Sequence, residues 1–392
     1  MKRGIPKKEK ISLALILLAN VARAASLNDV ENDWDRPLLK PYGSTAALED
    51  DEPDYDDFRE SEFSVESQYF DSPAMHSDVR VGMRPSRDLT TCNVPWKCER
   101  SCPFGYFRLS GMGECRKWLT CADWADLDTN RTYLTQGSMK RVFKTNWNGT
   151  PLILARVKRF KYTSFIANLK SLQPSIFVTQ LVGSCEDPAW PEVLLEYHPH
   201  GRLGNLPDVL EMSPQLAQPH LLMRLLLDYA SILSVLHHME PEGARVLCDT
   251  WSLQKITHQF LLTKDFRLLL NDVDDLSVVM PSQNKLAKCS AGFYQNVKLL
   301  DSEFLAPEEF SQGFFDESVD IYKVPSLAQW ILEWAGEDGR ELLLLLDPLH
   351  KRCKAILPTD RPTALEILSE YQKVYQVALT RDEEDEQSDF FL

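Results

Sequence analysis

The residues most able to do chemistry lie in the second half of the chain, beside short apolar stretches at 244–249, 259–262 and 267–272. The first stretch ends at Asp249 and the third at Asp272. A carboxylate can accept a proton from a substrate hydroxyl, and carboxylate and carbonyl oxygens are the ligands that Mg²⁺ prefers. Taken singly, each acid also fits a structural role as a turn residue. The order of the motifs along the chain must therefore distinguish a catalytic role from a structural one.

The order of these and neighbouring motifs resembles that of a protein kinase. Asp249 stands where a kinase has its catalytic-loop Asp, although Leu247-Cys248 replaces the usual His-Arg. Gln259 opens a Gln-Phe-Leu-Leu segment ten residues later, and Asp272-Val273-Asp274 stands where Asp-Phe-Gly belongs. Three further matches are Ala306-Pro307-Glu308, an Asp320 that would brace the catalytic loop, and an Arg361 that would pair with Glu308. This order favours a kinase over a set of unrelated turns.

The nucleotide-binding part of the resemblance is weaker. The loop from Gly137 to Val142 lies where a kinase Gly-rich loop covers the ATP phosphates, but it keeps only one glycine of the usual three. Two lysines could reach the phosphates: Lys140 in this loop, which we favour, or Lys158, which closes Ala-Arg-Val-Lys, similar to the Val-Ala-Ile-Lys of ordinary kinases. No Asp or Glu occurs from 159 to 185, so the usual helix glutamate is missing, which argues for reduced activity.

The resemblance is closest to one family, the protein O-mannose kinases of the secretory pathway. It runs from about residue 102 to 377 and rests on several blocks that are peculiar to that family. These blocks are Cys102-Pro-Phe-Gly-Tyr-Phe-Arg, Cys115, Trp118-Leu, Cys121, Lys140-Arg-Val-Phe, Glu196-Tyr-His-Pro, Leu236-His-His, Arg245-Val-Leu-Cys-Asp, Asn271-Asp-Val-Asp and Tyr371-Gln-Lys-Val. The resemblance implies phosphorylation of the 6-position of an O-linked mannose in a GalNAc-GlcNAc-mannose trisaccharide on dystroglycan, using ATP and a divalent metal.

The resemblance also implies roles for the site residues. Asp249 would orient and deprotonate the sugar hydroxyl, and Asp272 would bind Mg²⁺ (or Mn²⁺) across the phosphates, with Gln259 as a neutral second ligand. Asp274 replaces a glycine, and it either adds a charge to the metal site or is an exposed acid. A binding site for the sugar would need aromatic side chains with polar groups beside them. The candidates, each of which also fits a packing role, are Trp251, Tyr197, His198 and Phe304.

The predicted strands and helices place these residues in two lobes. The predicted strands are 133–143, 151–158, 177–182 and 193–197. The predicted helices are 164–172, 221–238 and a largely helical region at 326–377. We therefore predict an α+β bilobal kinase-like fold, with a small β-rich lobe at 128–197 and a larger helical lobe at 198–378.

The N-terminus has the pattern of a secretory signal peptide at 1–25. A basic cluster precedes an apolar run at 11–22 that is short for a membrane span, and Ala22-Arg23-Ala24 fits a cleavage site. An uncleaved type II signal anchor is the alternative, because the resembled family usually carries one. We expect no other segment to be long and apolar enough to span a bilayer. We therefore expect the endoplasmic reticulum lumen or the secretory pathway, with membrane contact only if the N-terminal segment is an uncleaved anchor.

The net charge of −15 is concentrated toward the ends of the chain. Residues 26–90 are acidic and poor in aliphatic side chains, which predicts a disordered linker, and 379–392 is predicted to be a disordered acidic tail. The body between them is nearly neutral. A net negative charge argues against a general nucleic-acid binder, because such a protein would meet the phosphate charge of its ligand.

The cysteines predict an oxidising compartment. Five of the nine crowd the predicted Cys-rich extension at 91–127, namely Cys92, Cys98, Cys102, Cys115 and Cys121. Such a cluster favours disulfides; zinc is the alternative, but no His lies between Cys92 and Cys121. An odd total leaves at least one thiol free or paired with another chain, and Cys248, in a strand that looks buried, is our candidate. N-glycosylation sequons at Asn130 and Asn148 add modestly to the secretory interpretation.

Three functions stay open on the sequence alone. The first is a glycan kinase of the O-mannose kinase type. The second is a pseudokinase scaffold that binds a glycan or a protein partner, which the missing helix glutamate and the altered Gly-rich loop support. Retention of Asp249, Gln259 and Asp272 together favours the first over the second. The third is a secretory kinase that acts on proteins. It stays open because the sequence contains little information about which acceptor the enzyme phosphorylates.

Overall fold

The computed structural model describes residues 102–186, 190–239, 243–280, 286, 287, 289, 304–311 and 315–389. The predicted signal peptide at 1–25, the predicted linker at 26–90, Cys92 and Cys98 lie outside these residues. Within the described part, a lobe built on a β-sheet is followed along the chain by a lobe built mainly of helices. The predicted bilobal α+β kinase-like fold is therefore confirmed.

The Cys-rich extension packs along one edge of the small lobe. Strands β1 (Tyr106–Phe107) and β2 (Arg116–Lys117) pair antiparallel and are followed by a short 3₁₀ helix at Cys121–Asp126. Leu119 then lies beside the neighbouring strand at Gly183, where a Cβ atom would come within 2.6 Å of Leu119. Only glycine leaves room for this approach, which covers a sheet edge that would otherwise be open.

The small lobe contains a five-stranded antiparallel sheet in the order β3-β4-β5-β7-β6. Its strands are β3 (Thr132–Gln136), β4 (Lys140–Trp147), β5 (Thr150–Val157), β6 (Leu181–Cys185) and β7 (Glu192–Glu196). The strand predicted at 133–143 is divided in two, because the chain turns between β3 and β4 and the Gly137 N–H donates to the Lys140 carbonyl at 2.9 Å. The turn between β4 and β5 uses Asn148 and Gly149, with φ of 48° and 79°.

Helix α1 (Arg159–Ser171) follows β5 directly and begins earlier than the helix predicted at 164–172. Its buried side chains are Tyr162, Phe165, Ile166 and Leu169, which pack into the largest core cluster of the protein. Their spacing of three or four residues puts them on one face of the helix. The remaining polar positions therefore decide what α1 offers to the active site.

The larger lobe is built from helices that surround α3. The helices after α1 are α2 (Leu206–Met212), α3 (Pro219–His237), α4 (Leu253–His258), α5 (Pro307–Ser311), α6 (Ser318–Leu332), α7 (Gly336–Cys353) and α8 (Ala364–Asp389). Contrary to our prediction about other segments, α3 has the length and apolar composition of a membrane span. However, 67% of its apolar window is buried inside the protein. We therefore interpret α3 as a core helix.

Two short two-stranded sheets follow α3 along the chain. Strand β8 (Ala244–Leu247) pairs antiparallel with β11 (Leu276–Val279), and β9 (Phe260–Leu262) pairs antiparallel with β10 (Leu268–Leu270). All four lie in the apolar stretches expected from the sequence or directly after them, because buried strands need apolar side chains on both faces. Their ends carry the polar residues predicted to do chemistry.

The disulfides confirm part of the cysteine prediction and correct another part. Bonds join Cys102 to Cys115 and Cys121 to Cys185, so these four cysteines are disulfide partners and not zinc ligands. The prediction that Cys248 is the inert thiol is wrong, because the chain beyond β11 returns to the buried side of β8 and a disulfide joins Cys248 to Cys289. Among the described cysteines the free thiol is Cys353, and burial raises its pKa to about 12.

The C-terminal helix is longer than predicted. Helix α8 runs to Asp389, so residues 379–389 of the predicted disordered tail are helical. Extending an existing helix adds a hydrogen bond for each residue that is ordered, and Glu, which occurs three times in this segment, is a good helix former. Acidic composition alone was therefore a poor guide to disorder at this end of the chain.

Candidate active site

The ends of strands β8, β9 and β10 bring the predicted catalytic and metal-binding residues together. Asp249 follows β8, Gln259 precedes β9, and Asp272 follows β10. Gln259 joins the other two: its Nε2 donates to the Asp249 carbonyl at 2.9 Å, and its own carbonyl accepts the Asp272 N–H at 3.2 Å. Three residues spread over 24 positions of sequence therefore share one hydrogen-bonded frame.

The Asp249 carboxylate is paired at one oxygen only. Its Oδ2 lies 3.1 Å from Nζ of Lys255, which α4 carries. Its Oδ1 is buried and has no hydrogen-bond partner among the residues that the structure describes. Burial raises the pKa of Asp249, and the nearby Lys255 charge offsets this only in part. The free oxygen is thus an acceptor that a bound hydroxyl could satisfy.

Lys140 lies against the two aspartates that follow β10. Its Nζ is 2.8 Å from Asp272 Oδ1 and 3.9 Å from Asp274 Oδ2. Burial alone would lower the pKa of Lys140, but the two carboxylates outweigh it and raise the pKa. Burial raises the pKa of Asp274, and the adjacent Asp272 charge adds to this increase. One ammonium group therefore serves two carboxylates that repel each other.

The oxygens in this group suit a hard divalent cation. Asp272 and Asp274 supply carboxylates, and both side-chain hydrogen bonds of Gln259 use Nε2, which leaves its amide oxygen for a ligand. In the described part of the chain no group of three or more His, Cys, Asp or Glu side chains is arranged to hold a metal. Phosphate and water oxygens would have to complete the coordination, as is usual for Mg²⁺.

The second candidate lysine lies elsewhere. Lys158 precedes α1 as its N-cap residue, and its backbone N–H donates to the Met139 carbonyl at 2.9 Å. Gly137 forms the turn between β3 and β4, while Val142 pairs with Ala155 inside the sheet. The structure thus brings Lys140 to the aspartates and places Lys158 at the start of the helix.

The catalytic loop is held from the helical lobe. Asp320 Oδ2 accepts the Leu247 N–H at 3.2 Å, as expected for the residue that braces the loop. Arg361 NH2 donates to Glu308 Oε2 at 2.8 Å, as expected for the pair beside the Ala-Pro-Glu motif. A third contact was not predicted from the motifs: buried Lys323 donates to Thr250 Oγ1 at 2.8 Å.

Sequence reasoning also missed the contacts that α1 makes with residues 272–275, which are predicted to bind the metal and are called the metal-binding segment below. Lys161 Nζ lies 2.9 Å from Asp275 Oδ1, and Asn168 Nδ2 donates to the Val273 carbonyl at 2.8 Å. The one feature of the sequence that bears on these contacts is an absence: α1 lacks the acidic residue that the corresponding helix of a kinase normally carries. Helical spacing puts Lys161 and Asn168 on one face, but it cannot show which face meets the segment.

The aromatic candidates for sugar binding divide into two groups. Phe304 is 2% exposed and His198 is 8% exposed, so both are packed inside the protein. Trp251 and Tyr197 are partly exposed. The Trp251 ring lies 5.7 Å from Nζ of Lys255, the lysine that also pairs with Asp249. Trp251 is therefore linked to the candidate catalytic residue Asp249 through Lys255.

Comparison with known proteins agrees with the resemblance seen in the motifs. The chain is 35% identical to the protein O-mannose kinase of Macaca fascicularis over 294 residues, 70% of this chain and 81% of that protein. It is 35% identical to the protein O-mannose kinase of Homo sapiens over 292 residues, 70% and 80% of the two chains. It is 32% identical to that of Gallus gallus over 291 residues, 70% and 79%. A scan against protein-family profiles gives no match.

These relatives settle the broad class of the protein. The similarity covers about four-fifths of each relative, so it extends well beyond a single motif. The relatives are named as kinases, which confirms that this chain is a phosphotransferase and, as with other kinases, a user of ATP and a divalent metal. The chain belongs to the protein O-mannose kinase family.

Proposed function

We propose that this chain transfers the γ-phosphoryl group of ATP to the 6-hydroxyl of an O-linked mannose, within a GalNAc-GlcNAc-mannose trisaccharide on dystroglycan. The observation that carries the proposal is the unpartnered Oδ1 of Asp249, beside an Oδ2 that Lys255 holds. Leaving a buried acceptor without a donor costs about 1–3 kcal/mol. A sugar hydroxyl that donates to Oδ1 would remove this cost and would be aligned for reaction.

The protein residues would supply alignment and a proton acceptor. ATP supplies the phosphoryl group, and Mg²⁺ (or Mn²⁺) supplies positive charge for the phosphates. Asp249 would hold the hydroxyl through Oδ1 and accept its proton, and a pKa raised by burial makes this carboxylate a stronger base than an exposed one. Lys255, held at Oδ2, would favour the ionised form that a base needs.

The phosphates would lie between the small lobe and the metal-binding segment. We assign the phosphate contact to Lys140 and not to Lys158, because Lys140 reaches Asp272, which we propose as the first metal ligand. Gln259 and Asp274 would complete the protein's share of the metal site. The nucleotide would be covered by the turn at Gly137 and by Val142 on β4, the positions that match a kinase Gly-rich loop.

Trp251 is the residue that we propose as the sugar platform. It follows Asp249 by two positions, is partly exposed, and lies beside Lys255. Aromatic faces suit the apolar C–H faces of a pyranose ring, and the lysine would keep the polar edge of the sugar near Asp249. Phe304 and His198 are dropped from this role because both are buried in the protein.

We place the reaction in the endoplasmic reticulum lumen or the secretory pathway. Three disulfides among the described cysteines support this proposal, because such bonds persist in oxidising compartments. The N-terminal segment would serve either as a cleaved signal peptide or as a type II anchor. Dystroglycan, the proposed carrier of the trisaccharide, would meet the kinase in that compartment.

The test is transfer of labelled phosphate from Mg·ATP to a synthetic GalNAc-GlcNAc-mannose acceptor by the secreted, disulfide-bonded protein. We expect transfer by the wild type and a loss of at least about 100-fold in Asp249→Asn, which keeps the shape of the side chain but removes the base. Asp265→Asn, in the exposed turn between β9 and β10, is the matched control and should keep full activity.

The same assay separates the rival functions. Binding of the trisaccharide without any phosphate transfer by the wild type would contradict the proposal and favour a pseudokinase scaffold. Labelling of casein-like peptides in place of the glycan would favour a secretory kinase that acts on proteins. Equal activity of wild type and Asp249→Asn would show that the base lies elsewhere.

A further inference from the structure

Helix α1 meets the metal-binding segment with a cation and an amide in place of an acid. Lys161, in its first turn, pairs with Asp275 at 2.9 Å, and Asn168, two turns later, donates to the Val273 carbonyl at 2.8 Å. The seven-residue spacing puts both side chains on the same face of the helix. The Val273 side chain is fully buried, so α1 holds the segment at the carbonyl of a buried residue and at a carboxylate.

Asp275 connects this contact to the catalytic loop. While its carboxylate pairs with Lys161, its carbonyl accepts the Cys248 N–H at 3.3 Å, one residue before Asp249. A short chain of contacts therefore runs from α1 through Asp275 to the catalytic loop. A change at Lys161 can reach both the metal ligands and the base without touching either directly.

The charges of this contact are reversed relative to an ordinary kinase. There, a lysine of the sheet pairs with a glutamate of the helix, and this pair marks the active arrangement. Here the helix supplies the lysine and the segment supplies the carboxylate. The lysine of the sheet, Lys140, is already engaged by Asp272. A glutamate on this face of α1 would instead meet the carboxylates of the metal-binding segment and repel them.

We propose that Lys161 and Asn168 are positioning residues that hold the metal-binding segment in place for Mg·ATP, so that α1 performs the role of the usual helix glutamate with the opposite charge. The proposal rests on the proposed function, since it assigns the metal to Asp272 and Asp274. It also removes the sequence argument for reduced activity, because a missing helix acid is what a reversed pair requires.

The pair is partly exposed, which sets the size of the expected effect. The side chains of Lys161 and Asp275 are 19% and 22% exposed, so solvent weakens their attraction without abolishing it. Interaction between contacting residues usually changes a measured constant by a few-fold to about 100-fold. For Lys161→Met we expect about a tenfold weaker affinity for Mg·ATP and a similar loss in kcat/KM.

The test compares Lys161→Met with Lys170→Met, a matched control on the same helix whose ammonium faces Trp118 at 5.9 Å. Calorimetry measures ATP affinity with Mg²⁺ and with EDTA, and hydrogen exchange measures the amides of residues 272–279. We expect Lys161→Met to weaken the Mg²⁺-dependent part of the affinity and to speed exchange of the segment. Lys170→Met should match the wild type, and Lys161→Arg should recover most of the loss.

A double-variant cycle decides whether the effect runs through Asp275. In an Asp275→Asn background, Lys161→Met should cause little further loss, because the pair is already broken. Fully additive losses, or Lys161→Met equal to wild type in both measurements, would overturn the proposal. Neither measurement uses the acceptor sugar. A failed glycan assay would therefore contradict the proposed function while these results still decide the positioning role.

Discussion

The catalytic loop and the metal-binding segment are held in opposite ways. The loop rests on a buried pair in the helical lobe, where Lys323 and Glu309 are 2.9 Å apart and their side chains are only 1% and 2% exposed. The metal-binding segment is held from the other lobe by Lys140 and Lys161, whose side chains are 15% and 19% exposed. The Lys323–Glu309 pair is buried and lies within one lobe. The contacts of Lys140 and Lys161 are more exposed to solvent and join the two lobes.

This difference fits what each part has to do during turnover. The proposed base, Asp249, must stay in one position, and the buried Lys323–Glu309 pair fixes the neighbouring Thr250 hydroxyl through a hydrogen bond from Lys323. The nucleotide must enter and leave between the lobes, so contacts across that gap have to break at modest cost. We therefore expect variants of the buried pair to change stability most, and variants of the inter-lobe lysines to change activity most.

The largest effect is expected at the buried pair. Lys323→Met should lower the free energy of unfolding by about 3–5 kcal/mol, because it leaves the Glu309 carboxylate buried without its partner. Burial already raises the pKa of Glu309 despite the lysine, which shows how poorly the site solvates that charge. Equilibrium urea unfolding of the disulfide-bonded protein measures the change.

The control for that prediction removes both charges. Lys323→Met combined with Glu309→Leu should recover most of the lost stability, because the pair as a whole contributes little beyond what apolar packing would. A loss below about 1 kcal/mol in the single variant, or an equal loss in single and double variants, would contradict the comparison. The first result would show that stability does not depend on Lys323, and the second would show that the loss does not come from an unpaired Glu309 carboxylate.

An intermediate effect is expected at Lys140, and on activity more than on stability. Lys140→Met should lower kcat/KM for ATP by about 100-fold, because it removes the ammonium from the proposed phosphate and metal site. The free energy of unfolding should change by about 1 kcal/mol or less, since the pair is partly exposed. Steady-state kinetics and urea unfolding of the same preparations measure the two quantities.

Lys351→Met is the control for Lys140, because it breaks an ion pair of similar length on an exposed helix surface. Lys351 lies 2.7 Å from Asp347, and its side chain is 75% exposed. Neither activity nor stability should change measurably. If Lys140→Met instead lost stability as heavily as Lys323→Met, the distinction between a buried brace and a wetter inter-lobe contact would fail.

The sequence predicts the buried part of the site better than the inter-lobe part. Asp249, Gln259 and Asp272 each adjoin an apolar strand, and strands leave a clear pattern along the chain. Asp320 and Arg361 were found through the motif order alone. Such residues can be located because local structure fixes where they stand.

Lys161 and Asn168 could not be located in this way, for a physical reason. Their partners lie more than 100 residues later in sequence, and which face of α1 meets them depends on how the lobes pack. Cys248 shows the same limit, because its strand was predicted as buried but its disulfide depends on the later path of the chain to Cys289. Local pattern gives an element and its buried face, while pairing across lobes is a property of the folded protein.

The smallest effect near neutral pH is expected from protonation, and it belongs to the buried helical lobe. His350 Nε2 lies 2.8 Å from the Tyr371 hydroxyl, and burial lowers the pKa of His350 to about 4. Below pH 6.5 the unfolded chain gains a proton that the folded protein does not, so stability should fall between pH 6.5 and about 4. The histidine's share of this loss should reach roughly 3 kcal/mol at most.

The histidine's share is measured as the difference between wild type and His350→Gln, which cannot titrate in this range. Carboxylates contribute to the pH dependence of both proteins, so they cancel in that difference. The wild type should lose stability relative to the variant as pH falls from 7 to 4. His238→Gln, at an exposed position after α3, should leave the wild-type slope unchanged. A constant difference between wild type and His350→Gln would mean that acid does not weaken the helical lobe through this residue.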